Sequence, residues 1–199
     1  MLELDAINMM LRAIGSTPVN NVEIPQPDVA NARRTLDRNR RSAQKRGWWF
    51  NIDYNVKYYP NFNKEIVLPE EITSVVLNNP RLVKRGRKIY DSFNNTYRFE
   101  EPIEIHRSIR ILPWDELPES MQEYVAYLSA SELIRDEIED SGKERAFKED
   151  AGRAWLTVQK EDLEASQFNS FAKGRVIRAR AGVRPYSRSS RRFAGDPDA

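Results

Sequence analysis

Cysteine is absent from this chain of 199 residues, and histidine occurs only once, as His106. Without cysteine the chain cannot form a disulfide framework, a thiolate zinc site or a cysteine nucleophile. A single histidine cannot build a multi-histidine metal site, and a catalytic histidine requires a positioned partner. Because His106 lies in the alternating run of residues 103–106, we interpret it as an ordinary strand residue.

Long apolar runs and a signal peptide are also missing. No stretch approaches the roughly 20 apolar residues that span a bilayer. The first residues, Met1 to Asp5, lack the basic start and apolar core of a secretory signal. We therefore expect a soluble protein that is made in a cytoplasm and has no membrane partner.

Motifs for catalysis are equally scarce. The sequence contains no glycine-rich phosphate loop and no nucleophile elbow between a strand and a helix. Acidic pairs such as Glu70-Glu71 and Glu100-Glu101 resemble the carboxylates that flank a sugar in glycosidases, but their spacing carries no specificity. The residues therefore predict no catalytic site, no cofactor and no metal, and so no enzyme.

The charge is distributed unevenly along the chain. From Gly174 onward seven arginines against two aspartates give +5, which leaves −3 for the preceding 173 residues out of a total of +2. This basic segment has few apolar residues and cannot bury enough surface to fold alone. We expect residues 171–199 to form a flexible basic C-terminal arm.

Apolar residues at helical spacing predict about four helices. The first runs from Leu4 to Ile14 and is closed by Gly15. The second starts at Asp28 as N-cap and runs to Gly47. The third follows Pro118 and is broken at residues 141–142, and the fourth runs from about residue 143 towards residue 168.

Between the second and third predicted helices, short β-type runs alternate with turn residues. The predicted fold class is therefore α+β: a helical bundle of about four helices with an inserted antiparallel β-sheet or barrel and an extended C-terminal tail. The corresponding domains are residues 1–47 and 113–170 for the helical body, 48–112 for the inserted β domain, and 171–199 for the arm. The predicted strands are residues 48–52, 54–59, 66–68, 73–77, 81–84, 88–90, 96–99 and 103–112.

Two basic segments are candidate partner-binding sites. The second predicted helix has many arginines and one acid past its first turn, and two interpretations stay open: contact with phosphates, or ion pairs with acids on neighbouring helices or subunits. The connection before it, residues 16–27, is longer than the 3–4 residues of a helix-turn-helix motif, and counter-charges abound in the third and fourth helices. The arm would either tether nucleic acid or order on a partner protein. The candidates are Arg33, Arg34, Arg38, Arg41, Arg175, Arg178, Arg180, Arg184, Tyr186 and Phe193.

Two stretches resemble the tail tubular protein A family, the head-to-tail adaptors of T-seven-like short-tailed bacteriophages (podoviruses). The more specific one combines residues 4–8 and 13–19 with the helix Val29-Ala30-Asn31-Ala32-Arg33-Arg34-Thr35-Leu36 and the sequence Gln44-Lys45-Arg46-Gly47-Trp48-Trp49-Phe50-Asn51. The second runs from Phe99 through Leu112-Pro113-Trp114-Asp115-Glu116-Leu117-Pro118-Glu119 into a helix at Tyr124.

The resemblance implies a structural virion protein at the head–tail junction, made in the host cytoplasm. Such a protein would form a dodecameric homo-oligomeric ring between the portal protein and the tail nozzle (tail tubular protein B), with tail fibres as further candidate partners. Genomic DNA would pass through its lumen during ejection, and no catalytic residue is implied. The alternatives are a small DNA-binding protein that uses the arginine-rich helix and tail and, least supported, a polysaccharide-cleaving tail enzyme.

Overall fold

The computed structural model describes residues 1–21, 23 and 25–172. The chain divides into two compact units, Met1–Asp162 and Leu163–Ala199, and the described part of the second is the C-terminal end of one helix. The six arm candidates, Arg175, Arg178, Arg180, Arg184, Tyr186 and Phe193, lie outside the described residues.

The described elements follow the order α-α-β-β-β-β-β-α-α. This order confirms an α+β fold with four helices and antiparallel strands. In chain order the elements are α1 (Glu3–Ala13), α2 (Pro27–Gln44), β1 (Ile52–Tyr58), β2 (Ile72–Leu77), β3 (Leu82–Arg85), β4 (Lys88–Asp91), β5 (Ile103–Arg110), α3 (Glu119–Glu137) and α4 (Ser141–Ala172), with a 3-10 turn at Trp114–Glu116 before α3.

The ends of the first two helices follow from local residue chemistry. After α1, Gly15 adopts φ +83°, a conformation that favours glycine, and this confirms the predicted stop. The second helix begins at Pro27 with Gln26 as N-cap, so the prediction of Asp28 as N-cap is wrong. Proline suits the first helical turn because the amide hydrogen that it lacks would be unpaired there. Asp28 instead accepts a hydrogen bond from the Ser16 hydroxyl, which ties the preceding loop to the helix.

Long-range hydrogen bonds define how the helices run in the first unit. The Met1 amino group donates to Gln122 Oε1 (2.8 Å), which places the start of α1 beside the first turns of α3. At the end of α1, the Ala13 carbonyl accepts from Nζ of Lys143 (3.4 Å), which lies in the first turn of α4, just after the end of α3. The two helices are therefore parallel. Ser120 Oγ donates to Glu161 Oε2 (2.6 Å), so α4 runs antiparallel to α3.

The helices bury a common apolar core. From α2, Val29, Ala32 and Leu36 are almost fully buried, as the thin apolar stripe of this helix predicts. Burial of a leucine side chain such as Leu36 contributes about 1.5–3 kcal/mol. The small Ala126 and Ala130 of α3 are also fully buried, and their size lets neighbouring helices approach closely.

The strands form two antiparallel sheets. One has the order β1-β5-β2, and the other is the β3-β4 hairpin. In the first sheet, Ile52 pairs with Ile109 at one end and Tyr58 with Ile103 at the other. A second core lies in this region and contains Ile66, Leu68, Ile72, Ile89 and Ile105. The described strands therefore form open sheets, and not the small barrel that the sequence allowed.

Three predicted strands are wrong in whole or in part. Residues 48–50 form no strand, because the Trp48 amide turns back to bond the Asn51 side chain, and β1 begins only at Ile52. Residues 66–68 and 96–99 contribute only isolated bridges. The alternating apolar pattern at residues 66–68 arises because Ile66 and Leu68 are buried in the core, and these residues do not pair continuously with a neighbouring strand.

Both edge strands of the three-stranded sheet are irregular. Asn55 in β1 adopts φ 55°, and the pairing of β2 shifts after Ile72 and again before Leu77. At the first shift, Lys84 Nζ donates to the carbonyls of Ile72 and Thr73, both at 2.9 Å. Burial lowers the pKa of Lys84, because the charged ammonium loses water there.

The turn after α2 requires glycine, and a matched pair of substitutions tests the reason. Gly47 has φ +80°, and a Cβ there would lie 2.8 Å from Arg107 Nη2 and 2.9 Å from Ile109 Cδ1. Gly86 has φ +60° with nothing within 4 Å. We expect Gly47→Ala to lower the free energy of unfolding by about 2–4 kcal/mol and Gly86→Ala by about 1 kcal/mol, as measured by urea denaturation. Equal losses would show that the close packing at Gly47 contributes nothing.

Candidate functional site

The outward side of α2 carries a row of cations. Arg34, Arg38, Arg41 and Lys45 follow one another at spacings of four, three and four residues, which places them on one side of a helix, and all four are exposed. The row is about 16 Å long at 1.5 Å per residue. We refer to these four residues as the cationic stripe.

Most of the stripe has no counter-charge among the described residues. Arg38 Nη2 pairs with Glu132 Oε2 on α3 at 2.7 Å, and the same carboxylate accepts a hydrogen bond from Asn39. Among the residues that the structure describes, Arg34, Arg41 and Lys45 have no hydrogen-bond or ion-pair partner, and neither does the nearby Arg33. The four α2 candidates thus separate into one intrachain ion pair and three exposed, unpaired guanidinium groups.

Beside the stripe lies an open groove of about 700 Å³. Its lining comes from α2, the start of α1, Glu23 and Pro25 of the preceding loop and the segment before α3, and it contains both acids and arginines. Arg40 is fixed on its wall, because it pairs with Asp37 and donates to the Leu112 carbonyl. The groove has the character of a polar contact surface. The charged and aromatic residues of its lining are Glu3, Glu23, Arg33, Arg34, Asp37, Arg40 and Trp114.

Two buried amides connect the helical body to the sheet. The side chain of Gln44, at the end of α2, accepts from the Leu112 amide (2.8 Å) and donates to the Leu112 carbonyl (3.1 Å). Asn51 accepts from the Trp48 amide (2.7 Å) and donates to the carbonyls of Gln44 (3.0 Å) and Arg110 (2.9 Å). The end of α2, the start of β1 and the end of β5 are therefore held together at one point, which we call the amide junction.

Trp48 anchors the amide junction in the helical core. It is fully buried, its Nε1 donates to the Ala43 carbonyl (2.8 Å), and its ring meets the edge of Trp155 on α4 with centroids 5.1 Å apart. The Arg46 guanidinium lies 4.7 Å from the Trp48 ring centroid. Trp48 thus anchors the turn between α2 and β1 in the helical core.

At the far end of the sheet, three aromatic side chains project into solvent. Tyr59 is 71% exposed, Phe62 is fully exposed and Phe93 is 67% exposed. We refer to these three residues as the aromatic rim. Their exposure was not predicted, because an aromatic in a β-rich segment normally indicates a core position. The asparagines and aspartates of the adjoining turns are the signal that places them in loops.

The remaining candidates for chemistry are isolated. His106 Nδ1 lies 3.3 Å from Asn55 Oδ1 on the exposed side of β5. Glu100 pairs with Lys64 at 2.7 Å, whereas Glu70 and Glu71 are exposed. Within the described ranges, no group of three or more histidine, cysteine or acidic side chains could hold a metal ion. The structure thus brings together contact surfaces, and it does not assemble a catalytic constellation from these residues.

Helices long and apolar enough to cross a bilayer do not occur in the part of the chain that the structure describes.

Comparison with known proteins identifies the family. The profile of the tail tubular protein family matches residues 4–193. The chain belongs to the tail tubular protein family. It is also 27% identical over 186 residues to "Tail tubular protein A" of Klebsiella phage KP34, an alignment that covers 90% of this chain and 98% of that protein.

Family membership confirms the resemblance found in the sequence and the assignment as a structural protein of a phage tail. As a tail tubular protein, the chain is a component of the virion. The matched region extends from the start of α1 to Phe193, and so includes the amide junction and the cationic stripe together with most of the basic segment. The partner-binding roles of the arginines, Tyr186 and Phe193 stay predictions.

Proposed function

We propose that this tail tubular protein forms the adaptor ring that joins the portal to the tail nozzle and surrounds part of the DNA channel. The observation that carries the proposal is the match to the family over nearly the whole chain, together with its alignment to 98% of a tail tubular protein A. The exposed, unpaired cations of α2 support it, because they provide a helix surface on which acidic groups of a neighbouring subunit can pair.

In this proposal each domain contacts a different partner. Residues 1–47 and 113–170 form the ring body and make its lateral contacts with identical subunits in a dodecamer. Residues 48–112 face the nozzle or tail fibres. The basic arm, residues 171–199, orders against the portal or an adjacent subunit. Residues 1–173 carry a charge of −3, given +5 for residues 174–199 and +2 in total, and such a charge would let DNA pass without tight binding.

The ring requires no catalysis. Its chemistry is recognition between subunits, and the scattered acids and single histidine of the chain fit that role. An assay for cleavage of host capsular polysaccharide is expected to give no product, and a measurable turnover that depends on Glu100 or Glu101 would contradict a purely structural role.

The oligomeric state is the direct test of the adaptor. The purified full-length protein, alone and mixed with the portal protein of the same phage, would be examined by sedimentation velocity and negative-stain electron microscopy. We expect closed rings that stack coaxially on the portal. A protein that remains monomeric and never binds the portal would exclude the adaptor role.

The predicted role of the α2 arginines leads to a specific expectation. In the variant Arg33→Glu/Arg34→Glu/Arg41→Glu, the fold should be retained, because these side chains are exposed and unpaired, whereas assembly should weaken by about tenfold or more. Circular dichroism and sedimentation velocity measure the two properties. Arg145→Glu on α4 is the matched control, since it reverses an exposed charge elsewhere and removes only a surface ion pair with Glu149.

The second candidate is a DNA-binding protein, and the same unpaired cations favour it. Its affinity for duplex DNA should fall steeply with salt, because cations that contact phosphates release counterions. Truncation after Lys173 should abolish binding if the arm provides the main contact. A normal ring with no duplex binding at low salt would remove this candidate, whereas salt-sensitive binding by a monomer would favour it over the adaptor.

A further inference from the structure

The aromatic rim lies at the end of the sheet that is remote from the helical body. The amide junction fixes the start of β1 and the end of β5 to the helices, whereas the last residue of β1, Tyr58, pairs with the first of β5, Ile103. Tyr59 is the next residue after Tyr58, and Phe62 lies in the loop that follows. Phe93 follows the last residue of β4, Asp91, which pairs with Leu82. Leu82 begins β3, directly after the turn that ends β2, so Phe93 lies near the end of β2.

The two loops of the rim border the same segment of chain, residues 98–102. On one side, Lys64 Nζ pairs with Glu100 at 2.7 Å and the Lys64 carbonyl accepts from the Phe99 amide at 2.7 Å. On the other side, Asp91 and Asn94 line a groove together with Glu100. The two loops that carry these exposed aromatics thus flank the same segment at this end of the sheet.

The Phe62 loop has a fixed backbone although its tip contacts nothing. The Asn61 side chain accepts hydrogen bonds from the amides of Asn63 (2.9 Å) and Glu65 (3.0 Å). Its backbone amide donates to the Glu65 carbonyl and its carbonyl accepts from the Lys64 amide, both at 2.8 Å. An aromatic side chain held in this way loses little conformational freedom when it enters a pocket.

The Phe93 loop is fixed by the same device. Asp91 Oδ1 accepts from the amides of Phe93 (2.9 Å) and Asn94 (3.0 Å). Arg81 lies over the Phe93 ring at 4.4 Å from its centroid and supports one face. The other face remains open, and the loop presents an arginine beside an aromatic, which are two of the residue types enriched among the strongest contacts of protein interfaces.

The charge of this surface is balanced. Its loops and the segment between them contain three cations, Lys64, Arg81 and Arg98, and four acids, Glu65, Asp91, Glu100 and Glu101, of which Glu65 pairs with Lys88 of β4 at 2.7 Å. Lys64 is paired with Glu100, and Arg81 stacks on Phe93. Such a surface does not attract phosphates, because DNA-binding surfaces have an excess of free cations. It fits an apolar protein surface with nearly neutral surroundings.

We propose that the aromatic rim is the docking surface for a second virion protein, whose apolar pockets receive the side chains of Phe62 and Phe93. The proposal rests on the proposed ring: copies placed side by side contact one another through their helical bodies and present their rims on one side of the ring. A circle of identical anchors binds a coaxial partner with high avidity, since each contact made raises the effective concentration for the next.

The test measures binding of the assembled wild-type and variant rings to the purified nozzle protein, tail tubular protein B of the same phage, by sedimentation velocity and surface plasmon resonance. We expect Phe62→Ala/Phe93→Ala to weaken binding by about 30-fold or more while the ring and its melting temperature stay unchanged. Val76→Ala, an exposed apolar position next to the last residue of β2 and outside the rim loops, is the matched control and should bind as the wild type does.

A further variant tests whether the rigidity of the loop, and not only its exposed apolar area, contributes to binding. Asn61→Ala keeps the Phe62 side chain but removes the hydrogen bonds that hold its loop, and we expect it to weaken binding by about 3–10-fold.

Wild-type affinity in the Phe62→Ala/Phe93→Ala variant would overturn the proposal and leave the adaptor intact. Loss of the ring in that variant would also overturn it, because the rim would then be a contact between copies. A wild-type ring that does not bind the nozzle protein at all would remove both the rim proposal and the nozzle side of the adaptor.

Discussion

Replacement of Trp48 by alanine is expected to lower the free energy of unfolding by about 3–5 kcal/mol. The fully buried ring packs edge-on against Trp155, and its Nε1 hydrogen bond to Ala43 would be lost as well. The cavity would open where α2, α4 and the amide junction meet, so it cannot collapse without moving several elements. Urea denaturation followed by circular dichroism measures the loss.

Two controls make this result specific. Trp48→Phe keeps most of the apolar contact but removes the hydrogen bond, so it should cost clearly less than alanine. Leu156→Ala on α4 removes a large side chain that is 65% exposed and should change stability by about 0.5 kcal/mol or less. A loss below about 1 kcal/mol for Trp48→Ala would mean that the helical body does not depend on this anchor.

The second large effect is expected at the amide junction. Asn51→Ala should cost about 3 kcal/mol or more, because the Trp48 amide and the carbonyls of Gln44 and Arg110 would each lose a buried partner. The sheet should loosen first, and hydrogen exchange should therefore rise in β1 and β5 before it rises in the helices. Denaturation and hydrogen exchange with mass spectrometry measure the two effects.

Conservative replacement of the same residue tests the cause. Asn51→Asp retains the oxygen that accepts from the Trp48 amide but directs a carboxylate at two carbonyl oxygens, so it should be at least as damaging as alanine. Asn63→Ala, in an exposed loop position, is the matched control and should be nearly neutral. If Asn51→Asp proved as stable as the wild type, the donated hydrogen bonds would not be what holds the junction.

The helices could be predicted from the sequence because their signals are local. Apolar spacing in α1 and α2 and the stop at Gly15 act within a few residues of one another. The break predicted at residues 141–142 is wrong, because these residues begin α4 and the chain leaves the helix at residues 138–140, where Glu139 adopts φ 51°. The strands were harder, because a β pattern reports burial without saying which backbone pairs with which. Ile66 and Leu68 alternate as strand residues do, but they fill a core and have no continuous ladder.

The contact surfaces depended on information that no local pattern contains. Arg38 pairs with Glu132 and Arg34 remains free although both belong to one stripe, since the outcome depends on which side of α3 faces α2. Asn51 reads as a turn residue in the sequence, yet its partners come from α2 and β5. The motifs that resemble the family include these residues, but the resemblance does not indicate which contacts they make in the fold.

The irregular edges of the three-stranded sheet should limit aggregation at high protein concentration. A flat, regular edge strand can recruit the edge of another molecule and start edge-to-edge aggregation. Here Asn55 bends one edge and the two pairing shifts break the other, while the Lys84 ammonium occupies the carbonyls of Ile72 and Thr73 that an incoming strand would use. The protein should therefore have little tendency to polymerise through its sheets, even at high concentration.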